Sequence, residues 1–265
     1  MIRTEHITVT VPSGKTLLED VSVFLRPGEI TAVIGKNGAG KSTLLKAITG
    51  NIAIKTGDIW YGEQVFSPDI QTQLAKVRAV VSQNVQLNFA FTVQEVVNIG
   101  RSPHSGFFGS MEDERIVRAC LEQVDATHLA DRDYTTLSGG EQQRVHIARA
   151  LAQIWESVHG DNMGYLLLDE PLASLDISHQ HQILDLLQSI AKNGVTVLII
   201  IHDLNLAAQY SDQIIALKQG VVLASGAPEE VVKPTTISTA FDYPVQILPH
   251  PQSGHPMVIP VTRPA

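Results

Sequence analysis

Eight residues constrain this chain more than any others: Gly35-Lys36-Asn37-Gly38-Ala39-Gly40-Lys41-Ser42, which fit the pattern G-x-x-x-x-G-K-[ST]. A strand-like run at 29–34 leads into them, and a helix carrying Leu44, Leu45 and Ile48 on one face is expected from Lys41. Strand, glycine-rich loop and helix in that order leave few folds open. The glycines let backbone N–H groups turn inward around phosphate oxygens, and the helix N-terminus adds partial positive charge. Lys41 can reach the β- and γ-phosphates and Ser42 can ligate Mg²⁺. Gly35, Asn37, Gly38, Gly40, Lys41, Ser42 and Thr43 are therefore the candidate phosphate contacts.

Further strands are expected at 5–11, 20–25, 57–61, 77–82, 165–169, 195–201, 213–217 and 221–225. Helices are expected at 92–100, 112–124, 139–155, 178–192 and 203–209, with 84–133 reading as a mainly helical insertion. Strands alternating with helices imply a largely parallel sheet covered on both faces, an α/β fold. An apolar fraction of 44% is ample for its core. The excess of 27 acidic over 19 basic residues argues against nucleic acid as a partner. Cys120 is the one cysteine, which excludes an internal disulfide and reads as a small buried residue. The N-terminus has no signal-peptide pattern, and the longest strongly apolar run, Val195 to Ile201, is too short for a bilayer. The expectation is a soluble chain that would work at a membrane only by borrowing another protein's transmembrane helices.

Tyr165-Leu166-Leu167-Leu168-Asp169-Glu170-Pro171 reads as a buried strand ending in two carboxylates. Coupled to the glycine-rich loop, Asp169 becomes a second Mg²⁺ contact, and Glu170 stands where it could polarise an attacking water. Between loop and strand lies Leu137-Ser138-Gly139-Gly140-Glu141-Gln142-Gln143-Arg144, a second anion nest at a helix start.

With these motifs together, the chain resembles the ATP-binding cassette ATPases over essentially its full length. The resemblance implies a P-loop NTPase fold of the ABC nucleotide-binding type: a RecA-like core, an antiparallel β subdomain and an inserted α-helical subdomain. By the same resemblance Gln83 is the Q-loop glutamine, contacting Mg²⁺ and water; Asp176 lies in the D-loop; and His202 is the switch histidine at the γ-phosphate. Glu170, His202 and Gln83 are the expected catalytic group, with Ser42, Gln83 and Asp169 as Mg²⁺ ligands. Ser138, Gly139 and Gly140 would contact ATP bound by a second copy of the chain, in a two-fold, head-to-tail dimer. The core would span 1–86 and 134–240, the helical subdomain 87–133, and a short extension 241–265.

Two departures from the family pattern stand out. Thr10-Val11-Pro12-Ser13 holds no aromatic residue where the family usually stacks adenine, leaving Val11 as an aliphatic contact. The stretch 155–164 is several residues longer than usual, a polar loop without an assigned role.

Thr92 to His104, TVQEVVNIGRSPH, is similar to the segment by which importers of iron chelates, heme and cobalamin meet their permeases. The run from Phe241 to Pro260 resembles the tail of heme-importer ATPases. The implied function is ATP-driven import of heme, with ATP and Mg²⁺ as cofactors. Two copies of a transmembrane permease and a periplasmic or surface binding protein are the implied partners. The implied location is peripheral, on the cytoplasmic face of the bacterial inner membrane. Ferric siderophores and cobalamin are the alternative cargoes; an iron–sulfur assembly scaffold or a ribosome- or DNA-associated mechanoenzyme is the reading from another class. His104, His250 and His255 read as surface or turn histidines rather than heme ligands.

Overall fold

The structure, a computed structural model, describes residues 1–82, 90–105, 110–160 and 163–261. The chain divides into two compact units, Met1–Phe66 with Leu198–Ala265, and Ser67–Val197.

The first unit begins with β1 (Ile2–Thr10), β2 (Thr16–Leu25), β3 (Ile30–Ile34), α1 (Lys41–Thr49), β4 (Thr56–Tyr61) and β5 (Gln64–Val65). β1, β2, β4 and β5 form an antiparallel sheet in the order β2-β1-β4-β5. β2 buries Leu18, Val21, Val23 and Leu25 and turns Glu19, Asp20, Ser22 and Phe24 outward, as a one-faced antiparallel strand requires. β3 is different: all five residues are buried, the pattern of a strand covered on both faces.

The second unit holds α2 (Gln71–Val77), β6 (Arg78–Val81), α3 (Val93–Asn98), α4 (Ser102–Ser105), α5 (Met111–Gln123), α6 (Gly139–Gln153), α7 (Trp155–His159), β7 (Tyr165–Asp169) and α8 (Ile177–Lys192). β6 and β7 pair in parallel, Arg78 opposite Tyr165. Between 90 and 133 the described residues form helices and turns, and the two ends of this stretch meet through an isolated antiparallel bridge of Thr92 with Asp133: Tyr134 N–H donates to Phe91 O at 2.9 Å and Val93 N–H to Arg132 O at 3.0 Å. Its helices are cut by the sequence itself. Thr92 with Glu95, and Ser110 with Asp113, form reciprocal capping boxes at the starts of α3 and α5.

The unit boundary falls within β8 (Thr196–Ile200). The first unit then resumes with α9 (Leu204–Tyr210), β9 (Gln213–Lys218), β10 (Val221–Gly226), α10 (Pro228–Val231), α11 (Pro234–Phe241) and the hairpin β11 (Val245–Pro249) and β12 (Pro256–Pro260). β9 runs parallel to β3, while β10 returns antiparallel.

The expected strands and helices all occur, mostly within a few residues at each end. The helix expected over 139–155 is divided: α6 stops at Gln153, and the lengthened stretch after it begins with a further short helix, α7. α2, β5, α4, α10, α11 and the β11–β12 hairpin were not among the expected elements. No helix among the described residues is long and apolar enough to cross a membrane.

Candidate active site

In the first unit, the loop from Gly35 to Gly40 leaves the end of β3 and opens α1. Gly35 has φ +146, and a Cβ there would collide with Leu217 O; at Gly40, φ +107, a Cβ would lie 2.9 Å from Leu18 Cδ2. Both positions thus need glycine for conformation and for space. The loop is braced from β9 and β10, where Gly220 N–H donates to Ala39 O at 2.9 Å. Lys41 is 5% exposed and turned into the loop, its Nζ donating to Gly35 O at 2.8 Å and Lys36 O at 3.2 Å. Gly40 offers no side-chain cap to α1, whose N-terminal end is suited to an anion.

His202 follows β8 in the same unit. Ile201 N–H donates to Val33 O at 3.4 Å, which sets His202 beside Ile34 and the start of the loop. The ring is exposed, and Asp203 directly after it caps α9 by accepting the N–H groups of Asn205 and Leu206 at 2.8 and 3.0 Å.

In the second unit, β7 is buried throughout and ends at Asp169, 6% exposed. Glu170 then takes φ 53, a left-handed conformation uncommon for a residue with a long side chain. Backbone strain of this kind, of order 1 kcal/mol or more, concentrates at functional positions.

Ser138 caps α6. Its N–H donates to Glu141 Oε2 at 2.7 Å, and its Oγ accepts Glu141 N–H at 3.3 Å. Hydrogen bonds to its carboxylate from Ser138, the backbone N–H first and then the hydroxyl, hold the Glu141 carboxyl below its usual range. Gly139 and Gly140 lie against Ser174; a Cβ at Gly140 would stand 2.9 Å from Ser174 O. Asp176 caps α8, accepting His179 N–H and sharing a hydrogen bond with its Nδ1, both at 2.9 Å. The His179 backbone N–H is the main reason its carboxyl is also depressed. Ser138, Gly139, Gly140 and Asp176 thereby line one open cavity of about 460 Å³, with Ile177 beside it 75% exposed.

The structure thus joins the 138–140 motif to Asp176, and His202 to the glycine-rich loop. Gln83, and Leu87 to Phe89 in the segment after it, lie outside the described residues. Three features escaped sequence reasoning. The strain at Glu170 has no sequence signal. Arg144, 6% exposed, anchors α6 by donating to the carbonyls of Val124 and Asp125 at 3.2 and 2.5 Å. Glu156, in the lengthened stretch, reaches Arg101 of the GRSPH segment with contacts of 2.6 and 3.1 Å. No sequence signal pointed to that contact. His104 bonds Gln153 O at 2.8 Å, and His250 Nδ1 accepts two N–H groups of its own turn at 3.3 Å.

Comparison with known proteins gives a consistent result. Residues 18–173 match the family model described as ABC transporter. The chain is 47% identical over 249 residues to the hemin import ATP-binding protein HmuV of Gloeobacter violaceus, covering 94% of this chain and 90% of that protein. It is 44% identical to the protein of the same name from Pseudomonas aeruginosa, covering 98% and 99%. Among solved structures, a chain of a metal-chelate type ABC transporter in an inward-facing conformation superposes with a TM-score of 0.81 at 26% identity, over 99% of this chain and 98% of that one. A bacterial ABC transporter cassette solved as a dimer gives 0.76 at 28% identity, over 86% and 98%.

Proposed function

The chain belongs to the ABC transporter family, and from that premise we propose that it is the ATP-hydrolysing subunit of a heme importer, driving a separate transmembrane permease. The observation that carries the cargo is near-full-length identity of 44–47% to hemin import ATP-binding proteins.

In the proposed cycle, Lys41 exchanges the carbonyls of Gly35 and Lys36 for the β- and γ-phosphate oxygens of ATP, while the loop N–H groups and the open start of α1 take the remaining charge. Ser42, Asp169 and Gln83 would hold Mg²⁺; the hydroxyl, carboxylate and amide oxygens of this set fit a hard cation, which offsets phosphate charge. Glu170 accepts a proton as water attacks the γ-phosphorus. The bond to the β–γ bridging oxygen breaks, and ADP and phosphate form. His202 orients the water and the γ-phosphate.

Ser138, Gly139 and Gly140 of a second copy close on the same nucleotide. The open cavity they share with Asp176, and the exposed Ile177 at its side, support this reading. ATP then favours the closed dimer because its contacts to both copies exist only there. Two permease copies, contacted through the helical stretch 87–133, and a periplasmic or surface binding protein would complete the importer at the cytoplasmic face of the bacterial inner membrane. The metal-chelate type structural neighbour supports a ferric siderophore or cobalamin as the second reading for cargo.

The test is ATP-driven uptake by proteoliposomes holding this chain with the permease that co-purifies with it, supplied with its binding protein. Heme, a ferric siderophore and cobalamin are compared. Heme uptake is expected to be at least tenfold above the others and to vanish with Glu170→Gln, which still binds ATP. Preferential uptake of another chelate would overturn the cargo. Uptake undiminished by Glu170→Gln would overturn the assigned base.

A further inference from the structure

The side chain of Lys36, the second residue of the phosphate loop, has no part in the cycle above, yet the residue is held from two sides. Its carbonyl accepts Lys41 Nζ at 3.2 Å and Ala39 N–H at 3.0 Å. Its own Nζ donates to Asp242 Oδ2 at 3.0 Å. The other oxygen of that carboxylate accepts Lys218 Nζ at 2.8 Å, and Lys218 also donates to Thr239 O at 2.7 Å. Asp242 closes α11 at φ 53 and opens the run into the C-terminal hairpin. That hairpin is docked, because Val258 N–H in β12 donates to Asn205 Oδ1 of α9 at 2.8 Å. Asp242 is therefore presented from a fixed element, between α11 and a hairpin tied back to the body of the unit.

We propose that Asp242 is a positioning residue for nucleotide binding: through Lys36 it fixes the first half of the phosphate loop, and with it the carbonyls that orient Lys41. The inference rests on the reading of Gly35 to Ser42 as the phosphate cradle. A loop with glycine at three of eight positions loses conformational freedom when it closes on phosphate, and any restraint present beforehand reduces that loss. Two ammonium groups shared by one carboxylate form a small network, which holds geometry better than an isolated surface pair. The Lys36 and Asp242 side chains are 56% and 52% exposed, so screening keeps the effect modest.

The experiment uses the full chain with Asp242→Asn, Lys36→Met and the double variant. Asparagine tolerates the left-handed backbone at 242, so the helix end is preserved while the charge is removed. ATP affinity is measured by calorimetry, and KM and kcat by phosphate release. Each single variant should weaken ATP binding about threefold and raise KM to match, with kcat at saturation unchanged. The double variant should be no weaker than either single one, because both remove the same restraint. Additive losses, unchanged affinity with only a lowered Tm, or tighter binding by Asp242→Asn would each overturn the proposal; the last would make the carboxylate a competitor of phosphate. Lys41→Ala separates the two readings. ATP binding undiminished in that variant would remove the phosphate cradle itself, whereas its loss beside normal Asp242→Asn binding would remove the positioning role alone.

Discussion

At the scale of single residues, burial decides chemistry. Cys120 is 0% exposed on α5, and desolvation pushes its thiol from 9.0 up to about 12. The thiolate is the reactive form, so at pH 8 the folded chain should react with iodoacetamide about a thousandfold more slowly than the chain in urea. Mass spectrometry after timed labelling checks this, and equal rates would mean that α5 opens freely. The same shift has a stability consequence. The unfolded thiol ionises above about 9 and the folded one only near 12, so Cys120 withdraws stability as pH rises through that window. Identity at this scale was legible: Cys120 was expected to be buried, and the structure agrees. Conformation was not. The left-handed turn at Glu170 comes from the exit of a fully buried strand into a tight turn, and nothing in Asp169-Glu170-Pro171 announces it.

At the scale of elements, local chemistry was readable wherever one short segment contains both partners. Thr92 with Glu95 and Ser138 with Glu141 are three residues apart, and both pairs close as capping boxes. The lengthened stretch 155–164 was opaque because its partner is distant. α7 delivers Glu156 to Arg101, which is 4% exposed and also bonds Asp113 at 2.8 Å and Ala152 O at 2.7 Å. One guanidinium thus ties the GRSPH segment to α5, α6 and α7. Arg101→Leu would strand Asp113, 1% exposed, as a buried carboxylate, and a loss of about 3–5 kcal/mol is expected in denaturant unfolding. Arg115→Ala, which removes an exposed pair with Glu112, should leave the unfolding midpoint where it is. Similar midpoints for the two variants would contradict the role given to Arg101.

At the scale of the whole molecule, the functional proposal needs two copies. Ser138→Arg puts a long cation at the mouth of the cavity shared with Asp176, remote in sequence from the chain's own phosphate loop. ATP binding to the isolated variant should persist while steady-state hydrolysis falls about a hundredfold or more, the scale of losing a key anion contact. Turnover within twofold of the parent chain would contradict the two-copy site.

The sequence by itself determined the glycine-rich loop, the buried strand ending in two carboxylates, the anion nest that opens α6 and, through them, the family. Each is written within a few consecutive residues, where backbone freedom, periodicity and capping act locally. Only the tertiary structure decided that Gly140 rests on Ser174, that Ile201 sets His202 beside the loop, and that Asp242 grips Lys36. The last two partners are 206 residues apart in the chain. Contacts of that kind follow from how strands and helices stack, and no local pattern of residues encodes which distant side chain will arrive.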